Sequence, residues 1–248
     1  MPTSPRSPAR ARRLDPDSVR GFARTGAATA AFLLLGPFTL LTVLVVSGWS
    51  PLWAADRWVS ATMHGYALEH PGWVRVMIGV SAVFGPACLR VATGLLVAWL
   101  LLRGRRGPAL WAAVTMAAGG LLGLAVRLLV RRHRPDPPDP VAWVAGYAFP
   151  SGHALNAALA AGVFLVVLLP HTRGRPVRRA LLCVVAAAVA ALTGLSRVAL
   201  GVHWATDVVG GWVLGVAVLA ATAAGWTAAR ARRGRPMVTG TGRRPGRR

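Results

Sequence analysis

Six apolar runs dominate this chain, at residues 27–47, 86–102, 108–130, 152–169, 180–195 and 208–228. A helix needs roughly 20 apolar residues to cross a bilayer core about 30 Å thick, and each run comes close to that length. Backbone in lipid must satisfy its own hydrogen bonds, so six such runs predict six helices. The first run, AATAAFLLLGPFTLLTVLVVS, exceeds the roughly 7–15-residue apolar core of a cleaved leader and is read as a retained span. Pro86 and Pro108 stand at the openings of the second and third runs, where a missing N–H costs nothing. Residues 48–85 mix Trp49, Trp53, Trp58 and Trp73 with charges, a composition expected of segments in the membrane interface. The expected fold class is all-α: an integral membrane protein with six transmembrane helices in one helical bundle. The expected organisation is a disordered basic tail (1–26), a six-helix domain (27–228) and a second disordered basic tail (229–248).

Charge sets the orientation. The chain holds 29 basic residues, all of them Arg, against 7 acidic ones, for a net charge of +22. Yet 54% of its residues are hydrophobic and its mean hydropathy is +0.51. A disordered basic protein lacks so many apolar residues, and a soluble nucleic-acid-binding domain carries more polar surface, so no nucleic-acid partner is expected. Counted by segment, 21 of the 29 Arg fall in the two tails and in the loops at 103–106 and 173–179. Segments rich in Arg stay on the cytoplasmic side. Both termini are therefore expected in the cytoplasm, with the first, third and fifth loops outside. Cys88 and Cys183, each inside an apolar run, suggest neither a metal site nor a disulfide and are expected to be small buried residues.

Three clusters fall at the outer ends of the third to sixth runs. Arg127, Arg131 and Arg134 are spaced i, i+4, i+7 and share a face if the helix continues. Such a row either snorkels to headgroups or surrounds an anion. Pro150-Ser151-Gly152-His153 opens the fourth run. It is either an N-cap with an incidental His or a helix N-terminus whose free N–H groups receive a phosphate. Ser196-Arg197 precedes His203 and Asp207, which are helical neighbours four apart. That pair is either a structural hydrogen bond or a carboxylate-oriented imidazole. Together the clusters hold the inventory for phosphoryl transfer through a histidine: cations, a nucleophile, its orienting carboxylate and an acid for the leaving group.

Read as Arg127-LLVRRH-Arg134-Pro135, then Pro150-Ser151-Gly152-His153, then Ser196-Arg197-VALGV-His203-WAT-Asp207, residues 127–207 resemble the type 2 phosphatidic acid phosphatase superfamily, the clan that includes vanadium haloperoxidases and bacterial acid phosphatases. Arg127 stands where that family usually has Lys. The resemblance implies that His203 is the nucleophile and forms a phosphohistidine, that Asp207 orients it, and that His153 is the general acid and then the base. It implies that Arg127, Arg134, Arg197, Ser151 and Gly152 bind the phosphate, and that no cofactor or metal is needed. The expected function is hydrolysis of a membrane lipid phosphate or diphosphate of the polyprenyl diphosphate, phosphatidic acid or phosphatidylglycerol phosphate type, at the outer face. The competing readings are a headgroup transferase on the same scaffold and a non-enzymatic basic membrane adaptor. Oligomeric state is left open. Asp136 and Asp139 are assigned to a turn, and His64, His70 and His171 to solvated or interfacial positions. His133 lies off the arginine face, and Trp143 and Trp204 are candidates for the headgroup entrance.

Overall fold

A computed structural model describes residues 16–233, which are helical apart from their connections. In chain order the helices are α1 (Pro16–Val46), α2 (Ser50–Glu69), α3 (Pro71–Val83), α4 (Pro86–Leu102), α5 (Arg106–Val130), α6 (Gly152–Leu168), α7 (Pro176–Ala199) and α8 (Ala205–Arg233). Five stretches are long and apolar enough to cross a membrane: Pro71–Leu102, Arg106–Val130, Gly152–Thr172, Pro176–Ala199 and Ala205–Arg230. Phe32–Val46 and Ser50–Glu69 meet the same criterion as a pair bent by 86°; counted as one span, they bring the total to six.

Several boundaries differ from those expected. Residues 16–26 and 229–233 continue α1 and α8, while 1–15 and 234–248, the remainder of the two expected tails, lie outside the described residues. Pro16 suits a first helical turn, and α1 runs on from it through Gly36-Pro37. The Trp-rich 48–85 segment forms two helices, α2 and α3, and these bring Asp56 and Ser81 to the interior.

Helix α6 is apolar around its circumference and packs against α4, α5, α7 and α8, while α1 lies along α8. Lipid is as apolar as a leucine side chain, so helices here associate by close packing rather than by leaving water. The α6–α8 contact depends on small residues: a Cβ at Gly211 would lie 2.6 Å from the Ser151 carbonyl oxygen, and one at Gly215 would lie 2.8 Å from the Ala158 Cβ. One turn apart on α8, they let the two backbones touch. The outer faces carry exposed Phe32, Leu102, Leu129 and Val177. Cys88 and Cys183 are also exposed, against expectation. In a bilayer an apolar side chain has no need of protein burial.

Helix α5 ends at Val130, and Arg131 takes a left-handed conformation at φ 51°. Pro135 disfavours helical backbone at Arg134, so the helix does not continue. The expected single face of Arg127, Arg131 and Arg134 therefore does not form. Arg131 is exposed and donates from Nε to the Leu128 carbonyl at 2.9 Å. The turn sends Arg132 inward instead. Its side chain, 2% exposed, donates to Asp207 Oδ1 at 2.6 Å and to Asp56 Oδ2 at 2.7 Å. Thr206 is bonded to both Arg132 and Asp56, and its backbone N–H donates to Asp56 Oδ1 at 3.0 Å. Trp53 and Trp204 cover the guanidinium, with ring centroids at 4.5 and 5.5 Å. One cation thus bridges two buried carboxylates from α2 and α8.

Removing one partner of a buried ion network strands the rest, which typically costs about 3–5 kcal/mol. Arg132→Ala is expected to lower stability by about that amount, read as a fall in the thermal unfolding midpoint of detergent-solubilised protein. Asp56→Asn added to Arg132→Ala should recover part of the loss. An unchanged midpoint in Arg132→Ala would show that the network does not hold the fold.

Candidate active site

The ends of four spans meet at one pocket. The last turn of α5 brings Arg127, the following loop Arg134, the first turn of α6 Gly152 and His153, the last turn of α7 Arg197, and the α7–α8 connection His203. All six line a cavity of about 320 Å³, together with Arg90 of α4 and Asn156 of α6. Asp207 and Ser151 are completely buried just behind its wall.

His203 is buried and held from both sides. Its Nδ1 lies 3.3 Å from Asp207 Oδ2, and its Nε2 lies 2.9 Å from Arg134 Nη1. A guanidinium only donates, so Nε2 must accept, and the ring proton sits on Nδ1 facing Asp207. Burial pushes the imidazole from its usual 6.5 down to about 4, with the Asp207 hydrogen bond and charge opposing. At neutral pH His203 is therefore an uncharged ring with its lone pair on Nε2, on the pocket side. Asp207 Oδ2 also accepts from the Trp204 backbone N–H at 2.9 Å. Its other oxygen is taken by Arg132, so both carboxylate oxygens are engaged.

Ser151 is the N-cap of α6. Its backbone N–H donates to the Asp207 carbonyl at 2.9 Å, which ties the start of α6 to the start of α8. Its Oγ is buried with no partner. Gly152 lets the Arg127 guanidinium lie close to the start of α6: a Cβ there would stand 2.6 Å from Arg127 Nη2 and displace it. That nitrogen donates to the Pro150 carbonyl at 3.3 Å, and Arg127 Nε is buried without a partner. Arg197 donates from Nη1 to Ser81 Oγ of α3 at 2.6 Å, and its Nε is likewise unpartnered. Arg134 is more committed: besides His203 it donates to the carbonyls of Val202, Gly146 and Tyr147 at 2.6, 2.9 and 3.2 Å. It clamps the loop as well as facing the pocket. The His153 ring approaches Gly85 at the α3–α4 junction, with Nε2 3.7 Å from where a Cβ of that residue would be.

Every residue expected in the site from the sequence thus lies in or directly behind one pocket. Others went unrecognised. Arg132 and Asp56 support Asp207, Ser81 supports Arg197, and Arg90 and Asn156 share the pocket. The one available signal was the cost of charge in apolar surroundings, which applies to Arg90 and to Asp56 as much as to Arg127. Some minor expectations change. His64 is buried, and its Nε2–H donates to the Pro138 carbonyl at 2.9 Å, whereas His70 and His171 are exposed. Trp204 is fixed over Arg132, donating from Nε1 to the His133 carbonyl at 2.9 Å, rather than lining the pocket. Trp143 is exposed beside a second cavity of about 570 Å³, which His133 and Asp136 also line. Asp139 occupies a tight connection at φ 53°.

Comparison with known proteins agrees with this geometry. Residues 108–231 match the model of the PAP2 superfamily. The chain is 29% identical over 149 residues to phosphatidylglycerophosphatase B of Bacillus subtilis, covering 60% of this chain and 73% of that protein. It is 30% identical over 163 residues to decaprenylphosphoryl-5-phosphoribose phosphatase of Mycobacterium tuberculosis, covering 64% and 84%. Its fold superposes on the crystal structure of a transmembrane PAP2-type phosphatidylglycerolphosphate phosphatase from Bacillus subtilis with a TM-score of 0.70 at 24% identity, over 84% of this chain and 98% of that one. A family match over half the chain, together with relatives that are phosphatases, establishes that this integral membrane protein belongs to the PAP2 superfamily and is a phosphatase.

Proposed function

We propose that this protein releases phosphate from a lipid phosphate or diphosphate by way of a phosphohistidine, with no metal. The observation that carries the reading is the His203–Asp207 pair, whose unprotonated Nε2 faces a pocket ringed by guanidinium groups. Nε2 attacks phosphorus as the bond to the leaving oxygen breaks, and His153 supplies that oxygen with its proton. Water, deprotonated by His153, then attacks the phosphohistidine, the P–N bond breaks, and inorganic phosphate leaves. Arg127 and Arg197, each with a buried Nε that has no hydrogen-bond partner, neutralise the charge on the equatorial oxygens, as does Arg134 once it exchanges His203 for phosphate. Ser151 Oγ and the N-terminal amides of α6 complete the cradle. Asp207 keeps the proton on Nδ1 and stabilises the cationic ring of the intermediate.

The substrate's tail stays in the bilayer, in line with the lipid substrates named for the two relatives. The arginine distribution supports cytoplasmic termini, with the pocket at the outer face of a bacterial plasma membrane. Because the pocket lies where the spans end, a headgroup reaches it from the interface without leaving its leaflet.

A phosphate-release assay on purified protein, run in EDTA over a panel of lipid phosphates and diphosphates, tests the reading. Release of inorganic phosphate is expected; a requirement for Mg²⁺, or a new lipid product without free phosphate, would overturn it. His203→Ala should reduce release to background. His153→Ala should slow it by roughly 100- to 10,000-fold, the range of a lost general acid. The ring nitrogens of His203 can be followed by ¹⁵N NMR in the ligand-free protein. Burial lowers this pKa, so the neutral form should persist from pH 7 down to about 4 with its proton on Nδ1, and protonate only below that. A midpoint at 6.5, or a proton on Nε2, would contradict the proposed resting state.

A further inference from the structure

Arg90 has no place in the three motifs, yet it faces the same pocket. It stands one turn inside α4, in the apolar stretch PACLRVATGLLVAWLLL. A guanidinium at such depth is costly unless it meets a wet cavity or an opposite charge. No carboxylate answers it among the described residues. Its recorded hydrogen bond runs from Nε to Asn156 Oδ1, at 3.1 Å. Asn156 is itself buried and donates from Nδ2 to the Gly152 carbonyl at 2.8 Å, so the first turn of α6 fixes its amide. The amide in turn aims the guanidinium, leaving the two terminal nitrogens of Arg90 without a recorded partner.

Charge and depth together define what this corner would hold. The pocket wall carries four arginines, Arg90, Arg127, Arg134 and Arg197, and no carboxylate. A phosphate monoester brings a charge of only about −1.5 to −2. Three of the four arginines, Arg127, Arg134 and Arg197, already share the pocket with His203, and Arg134 lies 2.9 Å from its Nε2. Arg90 follows Pro86 by four residues and Asn156 follows Gly152 by four. Asn156 therefore sits about one helical turn, roughly 6 Å, along α6 from its N-terminus, and its hydrogen bond holds the Arg90 guanidinium beside it. That is the side from which a lipid tail arrives.

We propose that Arg90 and Asn156 form a second-anion subsite, which holds a phosphate group lying between the reacting phosphate and the lipid tail. The preferred substrate then carries two phosphate groups, bridged directly as in a diphosphate or separated by a polyol. This inference rests on the lipid phosphatase reading above and refines its substrate class. Arg90 acts on binding and selection, remote from the bonds that change.

The test compares wild type, Arg90→Leu and Arg90→Lys on three lipids: phosphatidic acid with one phosphate, a polyprenyl diphosphate, and phosphatidylglycerol phosphate with two spaced phosphates. Arg90→Leu should lower kcat/KM for a two-phosphate lipid at least tenfold more than for phosphatidic acid, mainly through KM. Arg90→Lys should restore at least a third of the lost ratio. Whichever two-phosphate lipid shows the larger change identifies the spacing that the subsite fits. If wild type turns over the lipids but the ratio shifts less than twofold, whether both substrates suffer equally or neither does, the subsite is overturned and the phosphatase reading stands. If wild type releases phosphate from none of the three, both fall together.

Discussion

Asp207 cannot remain ionised inside a helical bundle without a cation, and Arg132 supplies it from 2.6 Å. Most of the site hangs on this pair. With Oδ1 held by Arg132, Oδ2 is left to accept from His203 and from the Trp204 backbone. That arrangement fixes the imidazole's plane and its tautomer. The Arg132 guanidinium has donors beyond the one that Asp207 takes, and Asp56 of α2 accepts from another. A pair of tryptophans then shields the guanidinium from solvent and lipid. In a low-dielectric interior every unpaired member would be expensive, so the triad is all or nothing. It also links α2, the residues that follow α5 and the start of α8.

The pocket side shows the opposite economy. Arg127 Nε, Arg197 Nε and Ser151 Oγ are buried without partners. Native proteins leave few such groups. Of the eight such atoms among the described residues, these three belong to residues that ring or back the pocket, where an anionic oxygen could satisfy them. Stability is given up at the wall and recovered behind it, in the Asp56–Arg132–Asp207 network and the α6–α8 contact. The site is pre-organised for an anion because its donors are already fixed by Ser81, Pro150 and the loop carbonyls.

How far this was legible in the sequence depended on the kind of information each residue carries. The spans announce themselves by length, and α4 and α6 begin within a residue or so of where the apolar runs do. His203 and Asp207 are four apart, and local spacing alone puts them in contact. Arg127 and Arg134 do meet at one pocket, but not along a shared helix face: the helix stops at Val130, and Arg134 returns to the pocket through a loop. The same stop exchanges Arg131 for Arg132, a rotation that helical periodicity has no means of foreseeing. Asp56 and Arg132 are 76 residues apart, and Ser81 and Arg197 are 116 apart. No local pattern records such pairs; only the tertiary fold does. The cysteines misled for another reason. In water an apolar run points its small residues inward, but a span in lipid places them on either face.

The same inversion explains why the arginines divide so cleanly. A charge facing lipid is strongly disfavoured, so the arginines in or beside the spans must either reach an interface or find a partner. Arg103 does the former, lying over Trp99 at 5.6 Å at the end of α4. Arg132 does the latter with two carboxylates. Arg90, Arg127 and Arg197 form no ion pair with a carboxylate among the described residues, and what they share is the cavity. A membrane protein with so few acidic residues cannot neutralise these cations from its own chain. The missing negative charge has to arrive with the substrate, and so binding completes an electrostatic balance that the fold leaves open.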